Sequence, residues 1–434
     1  MSLQSPTSQF TDAELDRLQL SSLLYYLHET NPDNGLVRDK TDPTAPASVA
    51  AIGMSLAALP VIVERAVTLR AFAARIARRR LRMLYELRQG PESDATGYKG
   101  FFYHFLDMDT GRRVWQCELS TIDTALLLAG ALAAATYFDR EEEAEADIRR
   151  LARALYERVE WPWMLNGSAA LSHGWRPESG FIPHRWQGYD EGLLLYILAL
   201  GSQTHALPVE SYDAYCATYQ WKRFYDRELL YCGPLFTHQF SHLWIDFRDL
   251  RDRFMREHGS DYFRNSREAT FVHQAYAMHN PMQWAGYGEH CWGFTACDGP
   301  GWLKRPCDGT ERDFFDYNAR GAPLGPDDGT VSPWIVVASL PFAPEIVVPT
   351  VRHFEAMDLG PTRRYGFRPS FNRTFLTQQA PGFWVSPHHF GIDQGPITIM
   401  VENVRSGLIW NLIRRCDPFV TGLRRAGFTG GWLE

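Results

Sequence analysis

The sequence is most informative at first through what it lacks. Its seven cysteines are scattered with no CxxC pair, which excludes a zinc knuckle and gives no disulfide framework. No apolar run reaches about 18 residues. The longest candidate, "ALLLAGALAAATYF", is too short and too alanine-rich to span a bilayer. The opening "MSLQSPTSQF TDAELDRLQL SSLLYYLHET" has neither the basic start nor the apolar core of a signal peptide, so the expectation is a soluble, cytoplasmic chain, or a periplasmic one whose signal was removed. Excess positive charge is absent as well. A net charge of -7 with the two signs interspersed gives no basic field for nucleic acid. No fixed repeat period appears, which argues against a solenoid.

What is present is helix and aromatic side chains. With 434 residues the chain exceeds the usual length of one domain, yet closed arrays of supersecondary units often run this long. Apolar spacing and cap residues predict helices near 12–29, 47–58, 61–88, 120–138, 140–158, 190–202, 209–219, 238–257, 266–279, 332–340, 344–357, 394–411 and 416–426. Strand-like runs are few. "GFFYHFLDMDTGRRVW" reads as a hairpin around Asp109-Thr110-Gly111, and "FWVSPHHF" is the other. About a dozen helices without intervening strands predict an all-α fold, either an α/α toroid or an open stack. Residues 281–331 form the longest loop, and loops of that length inside a domain are usually functional.

Aromatics make up 14% of the chain and many lie beside Gly, Asp and Asn in these loops, as a sugar-stacking cleft requires. Acids recur at helix entrances: Glu118 and Asp123 in "CELSTIDTALLLAGAL", Glu191 in "RWQGYDEGLLLYILALGSQTH", Asp298 in "GYGEHCWGFTACDGPGW", Asp328 in "GAPLGPDDGTVSPW" and Asp393 in "HHFGIDQGPITIMVEN". Each except Glu118 has a structural explanation, because carboxylates stabilise first helical turns; Glu118 precedes the cap, and helix propensity does not ask for it. Ser120-Thr121-Ile122-Asp123 also matches a capping box, in which Asp123 reaches back to the Ser120 N–H. For Glu191, the helix N-terminus lowers the pKa and the neighbouring Trp186 and Tyr189 raise it; a general acid needs the second effect to win.

His238, His242 and Asp246 in "HQFSHLWID" recur every four residues, as metal ligands on a helix do. Gln239 stands where a zincin has glutamate, and no third ligand cluster is evident, so satisfied histidines are the more frequent case.

Nine stretches in order, "TNPDNGLVRDK", "GYKGFFYHFLDMDTG", "ELSTIDTALLLAGAL", "GYDEGLLLYILALGS", "CWGFTACDGPG", "GPDDGTVSPW", "LPFAPE", "GFRPSFN" and "GIDQGPITIMVEN", resemble the bacterial glucoamylase-like proteins. These are related to glycoside hydrolase family 144, the endo-β-1,2-glucanases, and to the glucan-processing domain of cyclic β-1,2-glucan synthases. The resemblance runs from about Leu18 to Trp432. It implies a single domain over 1–434, an (α/α)6 toroid with its loops forming a cleft at one rim, and no metal or cofactor. The implied activity is hydrolysis of β-glucan, β-1,2-linked, by an inverting acid/base pair; transglycosylation, or binding without turnover, is the alternative. Glu191 falls at the acidic position that looks most essential in those enzymes, Asp123 at an acid of the equivalent helix start, and Glu118 near a further one. The candidate substrate-binding residues are Trp186, Tyr189, Tyr287, Trp292, Phe294, Asp298, Asp328, His389, Asp393 and Gln394. Trp292, Asp298, Asp328 and Asp393 are expected at one rim.

Overall fold

The structure, a computed structural model, describes residues 9–307, 309–357, 359 and 364–434. Fourteen α-helices are present among them: α1 (Asp12–His28), α2 (Val49–Glu64), α3 (Arg70–Glu86), α4 (Thr121–Tyr137), α5 (Glu143–Glu157), α6 (Gly192–Gly201), α7 (Glu210–Cys216), α8 (Arg253–Glu257), α9 (Tyr262–His279), α10 (Pro333–Ala338), α11 (Pro344–Ala356), α12 (Gly391–Arg405), α13 (Leu408–Ile413) and α14 (Asp417–Arg425). None is long and apolar enough to cross a membrane.

The helices fall into two kinds. α2, α4, α6, α10 and α12 are buried on nearly every side. Helices apolar all round belong in an interior, and these pack on one another in the order α10, α12, α2, α4, α6. Two short 3-10 turns, Leu235–His238 and Phe240–Leu243, lie next in the chain of contacts, the second touching both α6 and α12. Of the remaining long helices, half buried and outside, α1 packs on α12, α3 on α2 and α5, α5 on α4, α14 on α6, α11 on α10, and α9 on the Leu235–His238 turn.

Glycine sets how closely the interior helices cross. A Cβ on Gly53 of α2 would meet the Leu126 carbonyl oxygen of α4 at 2.3 Å, and one on Gly130 of α4 would meet the Gly53 carbonyl at 1.9 Å. Gly201 of α6 and Gly422 of α14 make the same kind of contact, at 1.9 Å each. At these crossings backbone touches backbone.

Four predicted helices, 47–58, 61–88, 394–411 and 238–257, differ in the structure. The break expected near Pro60 falls instead at residues 65–69; Pro60 lies within α2, and Ala66 takes a left-handed conformation at φ 54° where the chain reverses into α3. The stretch 394–411 divides at Gly407, φ 68°, into α12 and α13. The stretch 238–257 does not form one helix: only its end, α8 (Arg253–Glu257), is α-helical. Its polar side chains bond across the fold, Gln239 to the Ile335 carbonyl and His238 to the Cys232 carbonyl, and Asp249 adopts φ 58°, so tertiary partners override the helical spacing.

Short strands fill the loops. The long 281–331 segment contains the hairpin Leu303–Cys307/Thr310–Phe314 and a pair joining Ala296–Cys297 to Asn318–Ala319. An antiparallel sheet runs Gly97–Tyr98, Phe101–Tyr103, Leu119–Ser120, Gly174–Arg176, Gly180–Phe181 in spatial order. The hairpin expected at Asp109-Thr110-Gly111 closes through a bridge between Leu106 and Arg113. The Leu119–Ser120 strand passes directly into α4, so the sheet fixes where that helix begins.

Candidate active site

The start of α4 positions the first acid. Ser120 caps the helix by accepting the Asp123 N–H at 3.1 Å, and its hydroxyl donates to Asp123 Oδ2 at 2.5 Å. The predicted reach to the Ser120 N–H is not made, because the Ser120 backbone is part of the sheet. Asp123 Oδ1 faces His104 Nε2 at 3.7 Å, and His104 Nδ1 lies 3.1 Å from Glu118 Oε1. Arg176 Nη2 donates to Glu118 Oε2 at 3.0 Å. Burial disfavours the His104 cation, but Asp123, Glu118 and Asp39 outweigh it and lift its pKa to about 9. Glu118 is the reciprocal case: burial would raise it, yet His104 and Arg176 hold it down at about 2.

Glu191 immediately precedes α6, whose all-apolar sequence drives that helix into the interior. Glu191 and Asp123 line one cavity of about 260 Å³ together with His104, Asp393 and an apolar wall that includes Phe236, Phe240, Trp334 and Ile392. Tyr317 stands at this cavity with half of its surface exposed. Burial first, and then the charge of Asp190, push the Glu191 carboxyl well above its ordinary value. The helix N-terminus loses to desolvation here. Asp393, in the first turn of α12, is also pushed far up by burial and by Asp39 and Asp298. Asp39 is raised to about 6 by burial, with His104 and Lys40 acting in the opposite direction.

The structure therefore gathers Glu191, Asp123 and Asp393 at one cavity, with Glu118 behind His104. The other expected residues do not line it. Trp186 donates from Nε1 to Thr121 Oγ1 at 2.8 Å and stacks on His173, supporting the start of α4 from inside. Tyr189 packs edge-on against His238. Tyr287 donates to Asp327 at 2.6 Å, and Phe294 is sandwiched between Tyr287 and His273. Trp292 is fully buried, its Nε1 donating to Thr350 at 2.9 Å. Asp328 is fully buried in a two-pronged pair with Arg320, both contacts 2.7 Å. Asp298 accepts from Ser386 at 2.9 Å. His389 packs edge-on against Tyr365, and Gln394 is buried on α12 beyond Asp393. Of the four residues expected at one rim, Asp393 alone lines the cavity: Trp292 is tied to Thr350 of α11, Asp298 to Ser386 and Asp328 to Arg320, while Asp298 still lies near enough for its charge to raise Asp393. His104, Asp39, Phe236, Phe240, Tyr317 and Trp334 were missed. Three of them, Asp39, His104 and Trp334, lie inside stretches that carry the family resemblance, and that was the available signal.

The metal-like trio resolves differently. His238 contacts Asn265 and the Cys232 carbonyl, His242 contacts Ser266, and Asp246 is held by Arg248 and Arg414. No group of three or more potential ligands suited to a metal occurs among the described residues.

The family described as "Putative glucoamylase" matches residues 183–417. The chain belongs to that glucoamylase-like family. Among its relatives is an exo beta-1,2-glucooligosaccharide sophorohydrolase (non-reducing end) of Parabacteroides distasonis, 28% identical over 462 residues and covering 98% of this chain; the chain spans 59% of that relative's length. A solved "putative glucoamylase" of Bacteroides uniformis superposes with a TM-score of 0.85 at 28% identity, covering 98% of this chain and 100% of that one. An endo-beta-1,2-glucanase from Chitinophaga pinensis, in complex with sophorotriose and glucose, gives 0.84 at 25% identity, covering 98% of this chain and 100% of that one. The helix-rich fold is thus shared with glucoamylase-like and glucanase structures over nearly the whole chain.

Proposed function

We propose that this protein is a glycoside hydrolase that cleaves β-1,2-linked glucan or its oligosaccharides, inverting the anomeric centre, on a single (α/α)6 domain spanning 1–434. The observation that carries the reading is a carboxyl held protonated by burial, Glu191, sharing a cavity with a second carboxylate that has a cation beside it, Asp123. Glu191 donates its proton to the leaving glycosidic oxygen, which needs an acid still protonated near neutral pH. Asp123 takes the role of base toward water. Negative charge is better placed there than at Asp393, because Asp123 faces the His104 cation whereas Asp393 faces carboxylates. An inverting pair places its carboxyls roughly 6.5–9.5 Å apart, leaving space for that water. Glu118 lies outside the cavity lining and, in this reading, orients His104 rather than transferring a proton.

The apolar wall of Phe236, Phe240 and Trp334 offers faces for a sugar ring, and Asp393 a hydrogen-bonding group. Both β-1,2-glucan-active relatives support the linkage. The sequential contacts of the five interior helices, completed by the 235–243 turns, support closure into a double ring. The reaction needs no metal or organic cofactor, since proton transfer supplies the chemistry.

Incubation with linear β-1,2-, β-1,3- and α-1,4-glucans tests the linkage; products from the β-1,2 polymer alone are expected. Proton NMR of the newborn reducing end should show the α-anomer first. Appearance of the β-anomer would replace inversion by retention.

A further inference from the structure

We infer that Trp115 is an outer sugar-stacking platform that extends substrate binding beyond the cavity; this rests on the glucan-hydrolase reading. Trp115 leaves 66% of its surface in solvent, a costly placement for the largest apolar side chain. Its backbone is also in the left-handed region, φ 57°, followed by Gln116 at φ 52°. Such conformations are rare for bulky residues and persist only where the surroundings hold them. Here they are held: Arg176 donates from Nε to the Gln116 carbonyl at 3.3 Å while its other arm binds Glu118 at 3.0 Å. The guanidinium thereby ties the turn that displays the indole to the Glu118–His104–Asp123 chain.

A line of rings runs the same way. His104, at the cavity wall, stacks on Phe105 with centroids 4.0 Å apart and planes within 11°. Phe105 in turn meets Trp115 at 5.2 Å. Trp302 is equally exposed, but its ring neighbour is Phe315, which is not part of the cavity lining. Of these two exposed tryptophans, Trp115 is the one with a ring path to the cavity. Pyranose rings carry an apolar C–H face that stacks on indole, so a glucosyl unit leaving the cavity on the His104 side meets this surface next. The shortest substrates end before reaching it.

The test compares native protein, Trp115→Ala and Trp115→Phe on long linear β-1,2-glucan and on the shortest β-1,2-gluco-oligosaccharide that the native protein cleaves. For Trp115→Ala, kcat/KM on the long glucan is expected to fall about tenfold, through KM, the size of one lost ring contact. The loss should be confined to the long substrate, and Trp115→Phe should restore most of it. Equal losses on both substrates, or none on either, would overturn the platform while leaving the hydrolase reading intact. Failure of the native protein to cleave any β-1,2-glucan would overturn both.

Discussion

Two histidine–carboxylate groups in this protein use the same residue types and end in opposite charge states. His104 lies between Glu118 and Asp123 and is raised to about 9, so it is a cation at neutral pH. His238 and His242 are lowered to about 4 and about 3, first by burial, and stay neutral. The nearby acid explains part of the contrast. Asp246 directs its oxygens to Arg248 and Arg414, whereas Glu118 and Asp123 direct theirs to the imidazole. The second group has no open face, while the first adjoins a cavity. A histidine–acid spacing in sequence therefore says little until the other partners of the acid are known.

The largest effect that would sharpen this contrast is expected at Glu191. Glu191→Gln should retain the fold and lose about 10²–10⁴-fold in turnover on β-1,2-glucan. Retention of more than about a tenth of native turnover would remove Glu191 as the acid. Its raised pKa also has a stability sign: the folded state binds the proton more tightly than the unfolded one, so stability is lost as pH rises above the ordinary carboxylate range. Melting curves of the Gln variant should fall less steeply toward alkaline pH.

In the closed group the consequence is stability alone. Asp246→Asn leaves two guanidinium groups without their carboxylate and should cost about 1–3 kcal/mol, measured by denaturant unfolding, with turnover per folded molecule preserved. A turnover loss without unfolding would place this group in the chemistry after all.

His104→Gln should lower turnover by about tenfold, by removing the cation facing Asp123. The pH response separates the two groups further. His104 contributes stability that is present below about 6.5 and lost as pH rises to about 9. His242, with its depressed pKa, does the reverse: stability is lost as pH falls from about 6.5 toward about 3. His104→Gln should flatten the alkaline flank of a melting-temperature profile and His242→Gln the acid flank. The smallest effect is expected from EDTA. Turnover should be unchanged, and a loss restored by zinc would revive the metal reading of His238, His242 and Asp246.

Much of the helical framework was legible because α5 and α11 carry helical periodicity and α4 is a long apolar run behind its Ser120 cap. The 238–257 stretch was not, since its helical spacing is cancelled by bonds to residues about 30 to 170 positions away. In the site, Glu191, Asp123 and Asp393 were legible as acids at helix starts. Trp292 and Asp328 misled because aromatic and acidic residues in a long loop look the same whether they face a ligand or the rest of the fold. The partners that decide, Thr350 and Arg320, are identifiable only in three dimensions. His104 was hidden by lying in a hairpin whose role is to bring it beside α4.

The glycine crossings bear on how the proposed activity can change. Asp123 rides at the start of α4 and Glu191 at the start of α6, and each helix is clamped main chain to main chain against a neighbour, α2 or α14. Each acid-bearing helix is thus held by peptide geometry on its own neighbour, and at that crossing it is insulated from drift in side-chain size. A lineage acquiring a new glucan length or cleavage position would keep these two crossings and rewrite the loops around them.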